Sequence, residues 1–201
     1  MSLSKSEVWA VVHAERRRLI SDLASLDQSR WETPSLCPGW TVHDVLAHLV
    51  DTAKTGKAGF VWSMVRSRGD FDRANEAGVR RCKRDDPEQT LAEFRQVLEL
   101  TKTPPAQLAT RLVEAIVHGE DIRRPLQIPG EYPAAAVHEA LAYQLRTPVS
   151  FGGSRERAAG CRLVDTETGS AWGDGLEVRG KAVDLLVAAS GREVSPELLG
   201  D

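Results

Sequence analysis

The sequence predicts a mainly α fold: a four-helix bundle over residues 1–148, followed by a small α/β C-terminal subdomain over residues 149–201. Three observations carry that expectation. Four stretches place apolar residues at helical spacing. Joints rich in proline and glycine separate them. Around 147–160 the composition shifts to Gly, Ser and Arg, and beyond it the pattern turns to short strands and one more helix.

The first helix is expected over 5–26, where Val8, Val12, Leu19, Leu23 and Leu26 form an amphipathic stripe and His13 reads as a surface or half-buried histidine. Residues 31–41 hold two prolines and one glycine, which break regular structure, and Trp31 and Trp40 read there as packing residues. Thr41 and Asp44 have the form of a capping box, so a second helix should open there and run through His48 to about 65. Residues 66–87 are heavily charged and read as a loop, with the cluster 80–84 a solvated loop or frayed helix; Asn75 could turn towards a pocket and touch a cofactor. A third helix is expected over 87–102, with Pro87 in its first turn, and a fourth over 106–119. Further on come a helix over 134–146, strands over 161–166 and 176–179 joined through a Gly-Asp-Gly turn, and a helix over 181–190 ended by Gly191. About fifty residues of strand, strand and helix bury too little to stand alone, so this part should lean on the bundle.

Composition narrows the function. A chain of 201 residues with 41% hydrophobic and 27% charged residues has enough apolar material for a real core. A net charge of −3 speaks against a general nucleic-acid binder. No apolar run is long enough to span a bilayer and the first residues lack the apolar core of a secretory signal, so the cytoplasm is the expected location and no membrane partner is expected. The 20 Arg against 6 Lys hint at a GC-rich genome. Cys37, Cys82 and Cys161 are odd in number and far apart, which argues against a disulfide framework and against a cysteine zinc site. Any metal must then be held by histidine and carboxylate.

The stretch 111–126 is where such a site would lie. Glu114 and His118 are four residues apart, so on a helix both side chains rise from one face, a turn apart. The residues around them are apolar on nearly every other side, which marks a central helix and buries a carboxylate that then needs a partner. His48, at the edge of the apolar stripe of the second helix, is the candidate third corner of a metal site. It is equally placed to bond Asp44, one turn earlier.

The segment W-x-x-P-S-L-C-P-G-W-T-V-H-D-V-L-A-H-L-V over 31–50, together with E-A-I-V-H-G-E-D-I-R-R-P over 114–125, resembles the N-terminal domain of mycothiol-dependent maleylpyruvate isomerases, within the wider DinB-like group of thiol-dependent metalloproteins. The tail W-G-D-G-L-E-V-R-G-K-A-V-D-L-L-V-A-A-S-G-R over 172–192 resembles the small C-terminal domain that follows it in those proteins. The resemblance implies a DinB-like bundle with one divalent metal, usually zinc, held by His48, Glu114 and His118, the three residues that spacing selects. It also implies mycothiol as thiol cosubstrate and a small-molecule electrophile as its partner. Two imidazoles and one carboxylate leave a coordination position open, the mark of a catalytic site. A thiolate generated there would lead to S-transfer or to cis–trans isomerisation.

Around the metal, Asp121 would orient a ligand or pair with Arg123 or Arg124. Arg179 or Arg192 would clamp a substrate carboxylate or stay at the surface. Cys37 precedes the helix and is not expected at the metal. Two competing functions use the same ligands: a metal-binding sensor or interaction module without turnover, and a metal-dependent hydrolase.

Overall fold

The computed structural model describes residues 2–194, 199 and 200, so the end of the 149–201 unit lies partly outside the described residues. Eight α-helices and a small sheet make up the described part: α1 (Lys5–Leu23), α2 (Val42–Lys54), α3 (Lys57–Arg66), α4 (Phe71–Cys82), α5 (Pro87–Gln96), α6 (Thr110–Leu126), α7 (Ala134–Gln144) and α8 (Ala182–Ala189). The strands are β1 (Cys161–Asp165), β2 (Ala171–Trp172), β3 (Leu176–Gly180) and β4 (Leu199–Gly200), in the order β2-β1-β3-β4. The expected fold class holds: α1, α2, α5 and α6 pack as a bundle, with the sheet, α7 and α8 at one side. None of the described helices is long and apolar enough to cross a membrane.

Helix α2 starts where the sequence says it should. Thr41 accepts from the Asp44 amide, and the Asp44 carboxylate accepts from the Thr41 amide, closing the capping box. Its stripe of Val42, Val45, Leu46, Leu49, Val50 and Ala53 is buried, and each large member contributes about 1.5–3 kcal/mol of transfer free energy. The helix does not run to 65. Thr55 bonds back to the Asp51 carbonyl and turns extended, and Gly56 caps a separate helix α3.

The charged segment 66–87 is a helix over most of its length. Asp70 caps α4 by accepting from the Arg73 amide, and a narrow face of Ala74, Gly78, Val79 and Cys82 packs on α2. Gly78 is required there, because a Cβ would collide with the Asp51 carboxylate, which pairs with Arg81.

Helix α6 passes residue 119, its expected end, and runs through Pro125. Gly119 sits in a close approach, where a Cβ would fall 3.0 Å from Arg123 Nη1 and 3.1 Å from both Glu15 Oε1 and Tyr132 OH. Pro125 is tolerated one residue from the helix end, at the cost of the bond its nitrogen cannot give to the Asp121 carbonyl. That carbonyl accepts instead from the Leu36 amide at 3.2 Å, which docks the 31–41 loop onto α6.

Two cores meet on α6. One joins Leu19, Trp31, the α2 stripe, Val79, Phe94 and Ile122; the other joins Val8, Leu112, Ile116, Leu141, Leu163 and Leu186. The second core takes residues from α1, α6 and α7 as well as from β1 and α8, so the C-terminal elements share apolar packing with the bundle.

Candidate functional site

Helices α2 and α6 lie side by side along a cavity of about 870 Å³. His48 from α2 and His118 from α6 meet at its wall, edge to face, with ring centroids 4.7 Å apart. Trp40 lies against the His48 ring, with centroids 5.1 Å apart. His48 is buried, and its Nδ1 has no hydrogen-bond partner among the described residues; Asp44 is engaged with Thr41 and Lys83 instead. Burial, and then the nearby His118 and Arg111, hold the His48 pKa well below its ordinary value, so the imidazole is neutral. A neutral imidazole keeps one nitrogen lone pair, the form in which it can bind a Lewis acid.

His118 Nδ1 bonds Asp121 Oδ2 at 2.8 Å. The Asp121 carboxylate is fully buried and also accepts from Arg192 Nε at 2.9 Å and Nη2 at 2.7 Å. Burial alone would raise its pKa, but the bonds to His118 and Arg192 win and hold it below the ordinary carboxylate value. Facing an ionised acceptor, His118 carries a hydrogen on Nδ1 and donates it to Asp121. Among the described residues the Asp121 carboxylate bonds neither Arg123 nor Arg124.

Glu114 departs from the expected arrangement. It lines the same cavity, but its oxygens face a guanidinium: Arg111 Nη2 lies 2.7 Å from Oε2 and Nη1 3.2 Å from Oε1, and the Thr52 hydroxyl donates to Oε1. The two imidazoles therefore meet while the Glu114 carboxylate is held by Arg111 and Thr52. Among the described residues no group of three His, Cys, Asp or Glu side chains is placed to hold a metal ion. The donors themselves still suit a divalent ion, since one imidazole nitrogen is orphaned and the other ring is oriented by a carboxylate.

The remaining candidates divide. Asn75, half-buried on α4, and Arg192 line the cavity. The Nε/Nη2 edge of Arg192, the one suited to a bidentate grip on substrate, is taken by Asp121. Arg179 stands on β3, exposed and bonded to Glu177 at 2.6 Å, and does not line the cavity. His13 is mostly buried against Glu99. Cys37 also lines the cavity, but burial pushes its thiol up to about 11, which keeps it protonated at neutral pH.

Sequence reasoning missed Arg111, Thr52 and the placement of Trp40 beside His48. A signal existed for two of them: Arg111 is one turn before Glu114 on α6, and Thr52 is one turn after His48 on α2.

Comparison with known proteins bears on this geometry. Residues 12–102 match the family described as "Mycothiol maleylpyruvate isomerase N-terminal domain". The match includes His48 and ends before α6, so Glu114, His118 and Asp121 are related to known proteins by fold alone. A comparison with curated proteins finds no match. A crystal structure of the mycothiol-dependent maleylpyruvate isomerase aligns with a TM-score of 0.67 at 14% identity, over 96% of this chain and 91% of that one. A structure of a histidine-to-alanine mutant of that isomerase aligns with a TM-score of 0.68 at 14% identity, over 98% and 92%. Residues 12–102 are thus similar to the mycothiol maleylpyruvate isomerase N-terminal domain, and the chain as a whole carries the fold of that isomerase.

Proposed function

We propose that this protein is a divalent-metal-dependent enzyme that uses mycothiol in an isomerase or S-transferase reaction on a small electrophile. The observation that carries the reading is the meeting of two imidazoles from facing helices at a cavity wall, one with a buried nitrogen left unpartnered. His48 and His118 would hold the ion, zinc being the one the family resemblance implies, with Glu114 as the third ligand once it leaves Arg111. The ion would supply the acidity that keeps a bound thiol deprotonated at neutral pH.

The chain's own side chains define the rest. Asp121 keeps the hydrogen on His118 Nδ1 and so keeps Nε2 available to the ion. Trp40, Phe60, Met64, Phe71 and Val117 give the cavity apolar walls that exclude water from a reactive thiolate. A volume of about 870 Å³ is enough for a thiol and an electrophile together. Arg111 and Arg192 are each paired with a carboxylate, whereas Arg146, which also lines the cavity, has no ion pair among the described residues. That leaves Arg146 to receive a carboxylate of the substrate, and Asn75 to bond polar groups of mycothiol.

The test is metal content and turnover together. Protein purified without chelator should carry close to one divalent ion per chain, lose it in His118→Ala with the helical signal intact, and accelerate the consumption of mycothiol with an electrophile. Absence of any divalent ion would sink the reading. Bound metal with no acceleration over a panel of electrophiles would leave a binding module, and product formed without added thiol would point to hydrolysis.

A further inference from the structure

We infer that Arg111 is an internal competitor for the metal site: its guanidinium holds Glu114 away from His48 and His118, so that ion binding is a contest between a cation built into the chain and one from solution. The inference rests on the metal-dependent reading above. Its basis is the arrangement at the start of α6, where Arg111 and Glu114 are one turn apart and meet through two parallel N–H to oxygen contacts at 2.7 and 3.2 Å. The Thr52 hydroxyl gives a third bond to the same carboxylate, and the Thr52 carbonyl accepts from Arg111 Nη1 at 3.3 Å. One residue of α2, a single turn beyond His48, therefore grips both partners.

The grip is well made on one side and incomplete on the other. Arg111 is buried, and its Nε has no hydrogen-bond partner among the described residues, just as His48 Nδ1 has none. A fully satisfied structural ion pair would leave neither orphan. With Arg111 in place the pair is formally neutral, and an arriving dication meets a carboxylate already shared and a positive charge beside it. Without Arg111, the same side chains become two imidazoles and one free carboxylate, the donor set of an open zinc site. Like charges a few ångströms apart in a partly buried site repel strongly enough to decide the sign. Arg111 therefore lowers the affinity of the site, and it keeps Glu114 compensated while no ion is bound.

The experiment is a zinc titration with a competing chromophoric chelator on the full chain, comparing wild type with Arg111→Met and Thr52→Val. Arg111→Met keeps an unbranched apolar stem and removes the charge, and zinc should bind on the order of tenfold tighter or more. Thr52→Val removes one of the two holds on Glu114 and leaves the cation, so zinc should tighten by a few-fold, roughly the scale of one hydrogen bond. Zinc binding to Arg111→Met but not to wild type would be the strongest support. Unchanged or weaker binding in Arg111→Met overturns the inference and leaves the metal-dependent reading standing, as does failure of zinc to tighten in Thr52→Val if Arg111→Met does not fold. Zinc binding to none of the proteins overturns both. Tighter zinc in the variants with no mycothiol turnover in any protein keeps the competition and removes the enzyme.

Discussion

Helix α6 carries two polar clusters, and they differ in completeness. Towards its C-terminal end, Arg123 reaches Glu15, Asp22 at 2.8 Å and the Tyr132 hydroxyl at 2.9 Å. Arg124 bonds Glu120 at 2.6 Å and Asp184, and Tyr132 donates to Glu120 at 2.7 Å. These bonds tie α6 to α1 and α8, and none of the residues just named has a buried polar atom left without a partner among the described residues; Arg18, which also bonds Glu15, leaves its Nε unmatched at the edge of the cluster. Towards the cavity, His48 Nδ1 and Arg111 Nε are both buried and unmatched. Buried polar groups in folded proteins are nearly always paired. A closed cluster builds the protein, and an open one beside a cavity is kept for something that arrives.

Breaking the closed cluster should have the largest effect on stability. Arg123→Met leaves Glu15 buried without its main partner and should cost about 3–5 kcal/mol, read as a lower urea midpoint, with little change in zinc affinity relative to the surviving fold. A normal midpoint would mean that the cluster is not what fastens α1 to α6. Breaking the open cluster should do the reverse. Asp121→Asn frees the His118 ring and should lower metal affinity or turnover about 10–100-fold while the helical signal stays. An unchanged zinc titration would remove Asp121 from the site.

A smaller effect separates the two by pH. His43, bonded to Thr90 and buried, and His48 are both held below the ordinary imidazole value of 6.5, chiefly by burial. Below 6.5 the unfolded chain takes up protons that the folded chain refuses, so stability is fully present above that pH and falls as pH drops towards the folded values. Metal-free protein should therefore lose stability between pH 7 and 5, and His43→Gln should flatten part of the slope, by at most about 1.4 kcal/mol per pH unit. A slope unchanged in the variant would clear His43. The smallest effect is expected outside both clusters: Arg179→Ala removes an exposed contact to Glu177 and should change stability by no more than about 0.5 kcal/mol, with zinc affinity unchanged.

Much of the architecture was legible in the sequence, and the exceptions have physical causes. The capping box at Thr41, the proline opening α5 and the glycine-bounded strands all lie where local rules put them, because each is decided by neighbours in the chain. Helix α4 was hidden because its buried face is built from Ala74, Gly78, Val79 and Cys82, too small and too few to stand out among charges. Helix α6 outran its expected end because Gly119 answers to a crossing with α1 and Tyr132, and Pro125 to a loop docking from residue 36; both partners are remote in sequence. At the site, helical spacing showed that Glu114 and His118 share a face. It could not show that Arg111, on that same face, would reach the carboxylate first. The packing of Trp40 on His48 depends on how a loop without regular structure folds back, and periodicity says nothing about that.

Asp121 deserves a final consequence. Its carbonyl is fastened to the loop bearing Cys37 and Trp40, and its side chain to Arg192 near the far end of the described chain. Cutting the protein after its last long helix would strip Asp121 of its guanidinium and hand the imidazole at 118 a freer, differently charged anchor. Anyone transplanting the helical half into another scaffold would need to bring the arginine along, or replace it with a cation of equal reach.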